Sequence, residues 1–120
     1  MNEREDVRFQ KGGRLIKFPN GTSKLILPTG ISNIRFSNGD VKRVYPDGSN
    51  VYFYNQVDTL VSTFPKFGYK LYRFSDGQLE RHDNNGNKAI YYPNGTCKHL
   101  IGSEELCFFP DGSVQRSGNK

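Results

Sequence analysis

The chain has 120 residues, 34% hydrophobic, 13% aromatic and 24% charged, with 17 basic groups against 12 acidic ones. That length holds one domain rather than two, the aromatic content excludes plain disorder, and no apolar run reaches the roughly 18 residues of a membrane helix. Two cysteines exclude a disulfide framework, and the net charge of +5 is spread evenly, with no basic arm or block.

The first six residues, Met1-Asn2-Glu3-Arg4-Glu5-Asp6, are charged and lack the apolar core of a signal peptide, which points to the cytosol. A repeat then begins. Gly12, Gly21, Gly30, Gly39 and Gly48 fall nine apart, Val57 takes the next slot, and Gly68, Gly77, Gly86 and Gly95 resume the period before Gly112 closes it. A large residue stands three before the glycine at Phe9, Phe18, Leu27, Phe36, Tyr45, Phe74, Tyr92 and Phe109, and Tyr54 keeps the phase. Proline stands two before it at Pro19, Pro28, Pro46, Pro93 and Pro110, and Asn or Asp sits between. Proline presets φ for the second turn position, Asn or Asp suits the third, and glycine accepts positive φ. The unit is a three-residue hairpin loop with a glycine bulge.

A loop of three leaves six residues for each strand. Lys24–Leu27, Val41–Tyr45 and Val51–Tyr54 have strand composition, and no stretch has helical periodicity. The pattern predicts an all-β meander of about 12 antiparallel strands over residues 9–112, within one domain spanning 1–120. In such hairpins paired residue numbers sum to an even value, so odd and even positions keep to opposite faces. The even face then holds Ile16, Phe18, Lys24, Ile26, Ile34, Phe36, Lys42, Val44, Tyr52 and Tyr54, and the odd face is equally mixed. A sandwich or barrel needs one clean apolar face. The expectation is an open single-layer sheet, solvated on both faces and held by backbone ladders and cross-strand contacts. A closed barrel is the alternative. Residues 55–68 break the period by two, so a longer or irregular connection is expected there, with Tyr54, Phe64 and Phe67 packing locally.

The runs Phe18-Pro19-Asn20-Gly21-Thr22, Phe36-Ser37-Asn38-Gly39-Asp40-Val41-Lys42, Tyr45-Pro46-Asp47-Gly48 and Phe74-Ser75-Asp76-Gly77-Gln78-Leu79-Glu80-Arg81-His82 resemble the G-box repeats of the TCP domain. This is the T-complex-protein-10-like C-terminal domain of centriole assembly proteins. The resemblance runs from about residue 9 to 112 and departs from the pattern at Leu27, Val57 and Gly102. It implies a free-standing antiparallel sheet that binds a proline-rich segment of a STIL-type centriole-duplication protein, at the centriole. It also implies that Phe36, Tyr52 and Glu80 carry the contact, with Tyr54, Tyr72 and Phe74 beside them. All of these positions are even. The parity register aligns Tyr52 with Leu60, Phe74 and Gln78, and places Glu80 one step aside, next to Tyr72. Three strand spacings separate Tyr52 from Glu80, roughly 14 Å, which some five residues of polyproline II chain span. An arginine in the ligand is expected to pair with Glu80.

Each feature also has a structural reading. An aromatic before a turn glycine holds its hairpin by stacking, and Glu80 among basic residues makes surface salt bridges. Asn20-Gly21-Thr22 and Asn94-Gly95-Thr96 fit a glycosylation sequon but read better as turns. Cys97 and Cys107, both odd, are expected to face each other across a hairpin, as plain thiols in a reducing compartment. His82 and His99 are too sparse for a metal site, and no cofactor is expected. No nucleophile motif or phosphate loop supports an enzyme. Single-stranded nucleic acid is the rival ligand, because aromatics among Lys and Arg can stack and neutralise it; the lack of a basic groove argues against it. Free edge strands make end-to-end self-association a third reading.

Overall fold

The computed structural model describes residues 3–118. Its local geometry follows from the turn chemistry. In the turn Phe36–Gly39, the Gly39 N–H donates to the Phe36 carbonyl at 3.0 Å, and the Phe36 N–H donates to the Asp40 carbonyl at 2.9 Å. Asn38 Oδ1 accepts the Asp40 N–H at 2.9 Å, and Asn20, Asp47, Asp76, Asn94 and Asp111 make the same bond two residues on. This bond is why Asn and Asp occupy the position before the glycine. Gly39 has φ +91°, and a Cβ there would lie 2.6 Å from Asn55 Nδ2 in the next turn along the same edge. Gly77 packs likewise against Pro93. The glycines therefore provide both positive φ and room for turns to stack.

Among the described residues thirteen strands result: β1 (Glu5–Arg8), β2 (Arg14–Lys17), β3 (Ser23–Ile26), β4 (Ser32–Arg35), β5 (Val41–Val44), β6 (Asn50–Tyr54), β7 (Thr59–Phe64), β8 (Tyr69–Arg73), β9 (Leu79–Asp83), β10 (Lys88–Tyr91), β11 (Cys97–Ile101), β12 (Glu104–Phe108) and β13 (Val114–Gly118). They form one antiparallel sheet whose spatial order is the chain order, with β1 and β13 at its edges. The count exceeds the expected twelve by one because the turn at Gly102-Ser103, outside the regular glycine period, separates β11 from β12. The sheet measures 62 × 28 × 25 Å with a radius of gyration of 19.6 Å, against about 14 Å for a compact chain of this length.

Among the described residues no second layer covers either face. Among the described residues only Ile16, Ala89, Cys107 and Asp40 are buried, and no large side chain is fully so. Stability therefore comes from ladders and cross-strand pairs such as Phe64 on Tyr69, with centroids 4.9 Å apart.

The register corrects the parity expectation. Tyr54 pairs with Thr59 around a four-residue connection that includes a 3-10 turn at Asn55–Val57. Phe64 pairs with Tyr69 around another four residues, and Ile101 with Glu104 around two. A loop of even length exchanges odd and even between faces, whereas a loop of three does not. The exchanges on either side of β7 cancel. The third leaves β12 and β13 inverted, so Cys97 pairs with Phe108 and Cys107 with Lys98, and the cysteines point to opposite faces. The 55–68 segment thus contains a full strand. Tyr54 packs tilted against Tyr52 with centroids 4.4 Å apart, while Phe64 and Phe67 gather on Tyr69 at the other end of β7.

Candidate functional site

Even residues of β4–β6, β8 and β9 and odd residues of β7 share one face, called here the aromatic face. Two aromatic groups stand on it. In the first, Phe36 stacks on Tyr52 with centroids 5.7 Å apart and planes 28° apart, and Tyr54 leans on Tyr52 from the other side. Asp40 holds this group in place. Its Oδ2 accepts the Tyr52 hydroxyl at 2.8 Å and Asn38 Nδ2 at 3.2 Å, and its Oδ1 accepts the Asn55 N–H at 2.8 Å. The Asn55 N–H, then the Tyr52 hydroxyl, hold the Asp40 carboxyl below its ordinary 3.8. The same bond to Asp40 raises the Tyr52 phenol above its ordinary 10.0, so it remains a donor.

The second group stands two strands away. Tyr72 and Phe74 stack at 6.2 Å with planes 13° apart, and His82 packs on Tyr72 at 4.5 Å. Glu80 lies directly across from Tyr72. Its Oε2 accepts Gln78 Nε2 and its Oε1 meets His82 Nε2, both at 2.8 Å, so the carboxylate is fixed in direction with its side chain 18% exposed. Between the two groups β7 presents only Thr59 and Val61. Aromatic walls about 9.6 Å apart therefore face each other over a low floor.

The register brings the six expected residues closer together than the parity argument did. The cross-strand row is Tyr52, Val61, Tyr72, Glu80, in place of Tyr52, Leu60, Phe74, Gln78. Glu80 is thus in line with Tyr52, three strands away, rather than one step aside. The neighbouring row carries Phe36, Asp40, Tyr54, Thr59, Phe74 and Gln78. Along this row aromatics recur every second strand, at Phe18, Phe36, Tyr54, Phe74, Tyr92 and Phe109. That spacing of about 9.6 Å is close to the roughly 9.3 Å that three residues of polyproline II rise. Arg4 lies over the Phe18 ring at 5.4 Å and covers the first of these aromatics.

Sequence reasoning missed Asp40, Gln78 and His82. Asp40 carried a signal. Residues just after a turn glycine are otherwise neutral (Thr22, Ser49, Thr96, Ser113), and Asp40 is an acid there. The pairing of Glu80 with His82 follows from their spacing of two on one strand face.

Three comparisons with known proteins agree. The family model described as T-complex protein 10 C-terminus matches residues 68–98. Centrosomal P4.1-associated protein of Mus musculus is 43% identical over 75 residues, which is 62% of this chain and 6% of that protein, and the Homo sapiens protein matches to the same extent. The chain thus aligns with a small fraction of these relatives. Among solved structures, the G-box domain of the microcephaly protein CPAP superposes with a TM-score of 0.83 at 36% identity, covering 88% of this chain and 69% of that one. The TCP10 domain of Danio rerio CPAP in complex with a peptide of Danio rerio STIL gives 0.81 at 34% identity, covering 94% of this chain and 63% of that one.

Proposed function

This chain belongs to the TCP, or G-box, domain family of centrosomal P4.1-associated proteins, and from that premise we propose that it is a protein-interaction domain of centriole assembly. It binds a proline-rich, arginine-containing segment of a STIL-type partner across its aromatic face. Phe36, Tyr52 and Tyr54 form one wall, Tyr72 and Phe74 the other, and Glu80 receives the arginine. The partner class is carried over from the Danio rerio relative, whose TCP10 domain forms a complex with a STIL peptide. The reading assigns the chain no catalytic step and places it at the centrosome, where its relatives are named.

The single observation that carries the reading is the placement of Glu80 in one row with Tyr52 and Tyr72 across a low floor. A polyproline II ligand loses little conformational entropy on binding, and its rings stack on exposed aromatics. Aromatics recurring every second strand match its three-residue period. A carboxylate oriented by Gln78 and His82 presents two oxygens to a guanidinium, which can engage both.

The test is a calorimetric titration with a proline-rich peptide bearing one arginine, beside a single-stranded oligonucleotide, at low and physiological salt. Peptide binding that persists at physiological salt supports the reading. Preferential oligonucleotide binding that falls steeply with salt contradicts it, since that slope marks counterion release from phosphates.

A further inference from the structure

The opposite face of the sheet segregates its charges by type. Across β4–β9, Arg35, Arg43, Arg73 and Arg81 all point to it, whereas Lys42 and Lys70 point to the aromatic face. All four arginines are exposed, and among the described residues none makes an ion pair with a carboxylate. Arg43 bonds the neutral Asn33 Oδ1 at 2.7 Å, and Arg81 rests on the Tyr69 ring at 4.7 Å. Asp83, at the end of Arg81's strand, is already engaged by the N–H groups of Asn85 and Asn87.

The arginines frame an apolar floor. One cross-strand row reads Arg35, Val41, Phe53, Leu60, Arg73 and the next reads Arg43, Val51, Ser62, Leu71, Arg81. In each row the guanidiniums stand four strands apart, about 19 Å. Val41 is 38% exposed, Leu71 39% and Leu79 45%. Leu60, Leu71, Leu79 and Tyr91 line an apolar hollow of about 200 Å³ with Arg73 at its rim.

We propose that this face is a second interaction surface, which takes an acidic amphipathic helix from a partner protein. Unpaired arginines around apolar side chains fit carboxylates flanking an apolar stripe, and arginine is enriched at protein interfaces. The 19 Å between arginines is spanned by about thirteen residues of helix. Nucleic acid fits less well. In the two rows the floor between the cations is aliphatic but for Phe53 and Ser62, and the flanking Tyr45 and Tyr69 rings are occupied by Arg43 and Arg81, whereas stacked bases need free aromatic platforms.

The probe is a synthetic peptide of about that length, with leucine along one face and glutamate along the other, titrated into the intact chain. Controls are the same peptide with lysine for glutamate, and a short oligothymidylate. The glutamate peptide is expected to bind, to bind more weakly as salt rises, and to lose about tenfold in affinity to the Arg73→Ser, Arg81→Ser double variant. Phe36→Ala on the aromatic face should leave it unchanged, and saturation with the proline-rich peptide should not displace it. Arg73 and Arg81 are both exposed, and unchanged far-UV circular dichroism verifies the fold of each variant. Failure of the glutamate peptide to bind, equal binding of the lysine peptide, tighter binding of the oligothymidylate, or a loss caused by Phe36→Ala overturns the proposal.

Discussion

Phe36→Ala separates the binding role of the aromatic face from its role in holding the sheet. The Phe36 ring is half-buried and stacks on Tyr52 at 5.7 Å. Its removal forfeits that pair, worth about 0.5–1.5 kcal/mol beyond the area lost. Tyr52 stays anchored, because its hydroxyl bond to Asp40 does not depend on Phe36. The hairpin also survives, since its turn is closed by backbone bonds and by Asn38. The expected stability loss is therefore about 1–2 kcal/mol, a modest part of the 5–15 kcal/mol typical of a domain. The expected affinity loss for a proline-rich, arginine-bearing peptide is about 2 kcal/mol or more, some thirtyfold in Kd, as at an interface hot spot. Calorimetry gives the second quantity and urea unfolding the first. Phe18→Ala is the matched control, being the same turn position on the same face but covered by Arg4. It should cost similar stability and leave affinity unchanged. Unaltered affinity in folded Phe36→Ala, or equal affinity losses in both variants, would refute the assignment.

Three further outcomes follow from the same geometry. The Asp40 carboxyl is held below 3.8 in the folded chain, so its contribution is present above the unfolded value and is lost as pH falls through the folded one. Asp40→Asn should lower the urea midpoint at pH 7 and narrow the gap to wild type below about pH 4, near the unfolded carboxylate value; a gap independent of pH contradicts this. Gly39→Ala forces a Cβ into positive φ, against Asn55. It should cost at least about 1–2 kcal/mol and weaken peptide binding by disturbing Asp40, whereas Gly48→Ala, with nothing near its Cβ, should show the backbone cost alone. Phe64→Ala removes the stack on Tyr69 and should destabilise the sheet by about 1–2 kcal/mol while barely changing affinity; parallel losses of both would remove the distinction.

The architecture was legible because one turn chemistry recurs. Glycine, the residue before it and the aromatic three before it fix each hairpin locally, and a mixed composition on both faces leaves no apolar side for a second layer. Register was legible only where the loops have three residues. At Asn55–Asp58 and Pro65–Gly68 the connections have four, and nothing in the local composition counts the residues that remain paired. The alignment of Tyr52 with Val61, Tyr72 and Glu80 therefore had to come from the structure. Asp40 was obscured for a different reason. Its three bonds join residues 38, 52 and 55, and that convergence depends on the 3-10 turn that the repeat does not encode. Cys97 and Cys107 illustrate the same limit, since the two-residue loop at Gly102-Ser103 sends them to opposite faces.

The most direct measurement is a double-mutant cycle between Glu80 and the arginine of the peptide. Glu80→Gln keeps the size of the side chain and removes its charge. Affinities are measured for the wild-type and Glu80→Gln chains, each with the arginine peptide and with its alanine counterpart. A carboxylate oriented by Gln78 and His82 at a partly exposed site gives an expected coupling of about 1 kcal/mol. Glu80→Gln should thus weaken the arginine peptide several-fold and leave the alanine peptide nearly unaffected. Additive losses, with no coupling, would mean that Glu80 serves only the sheet and that the arginine of the ligand lies elsewhere.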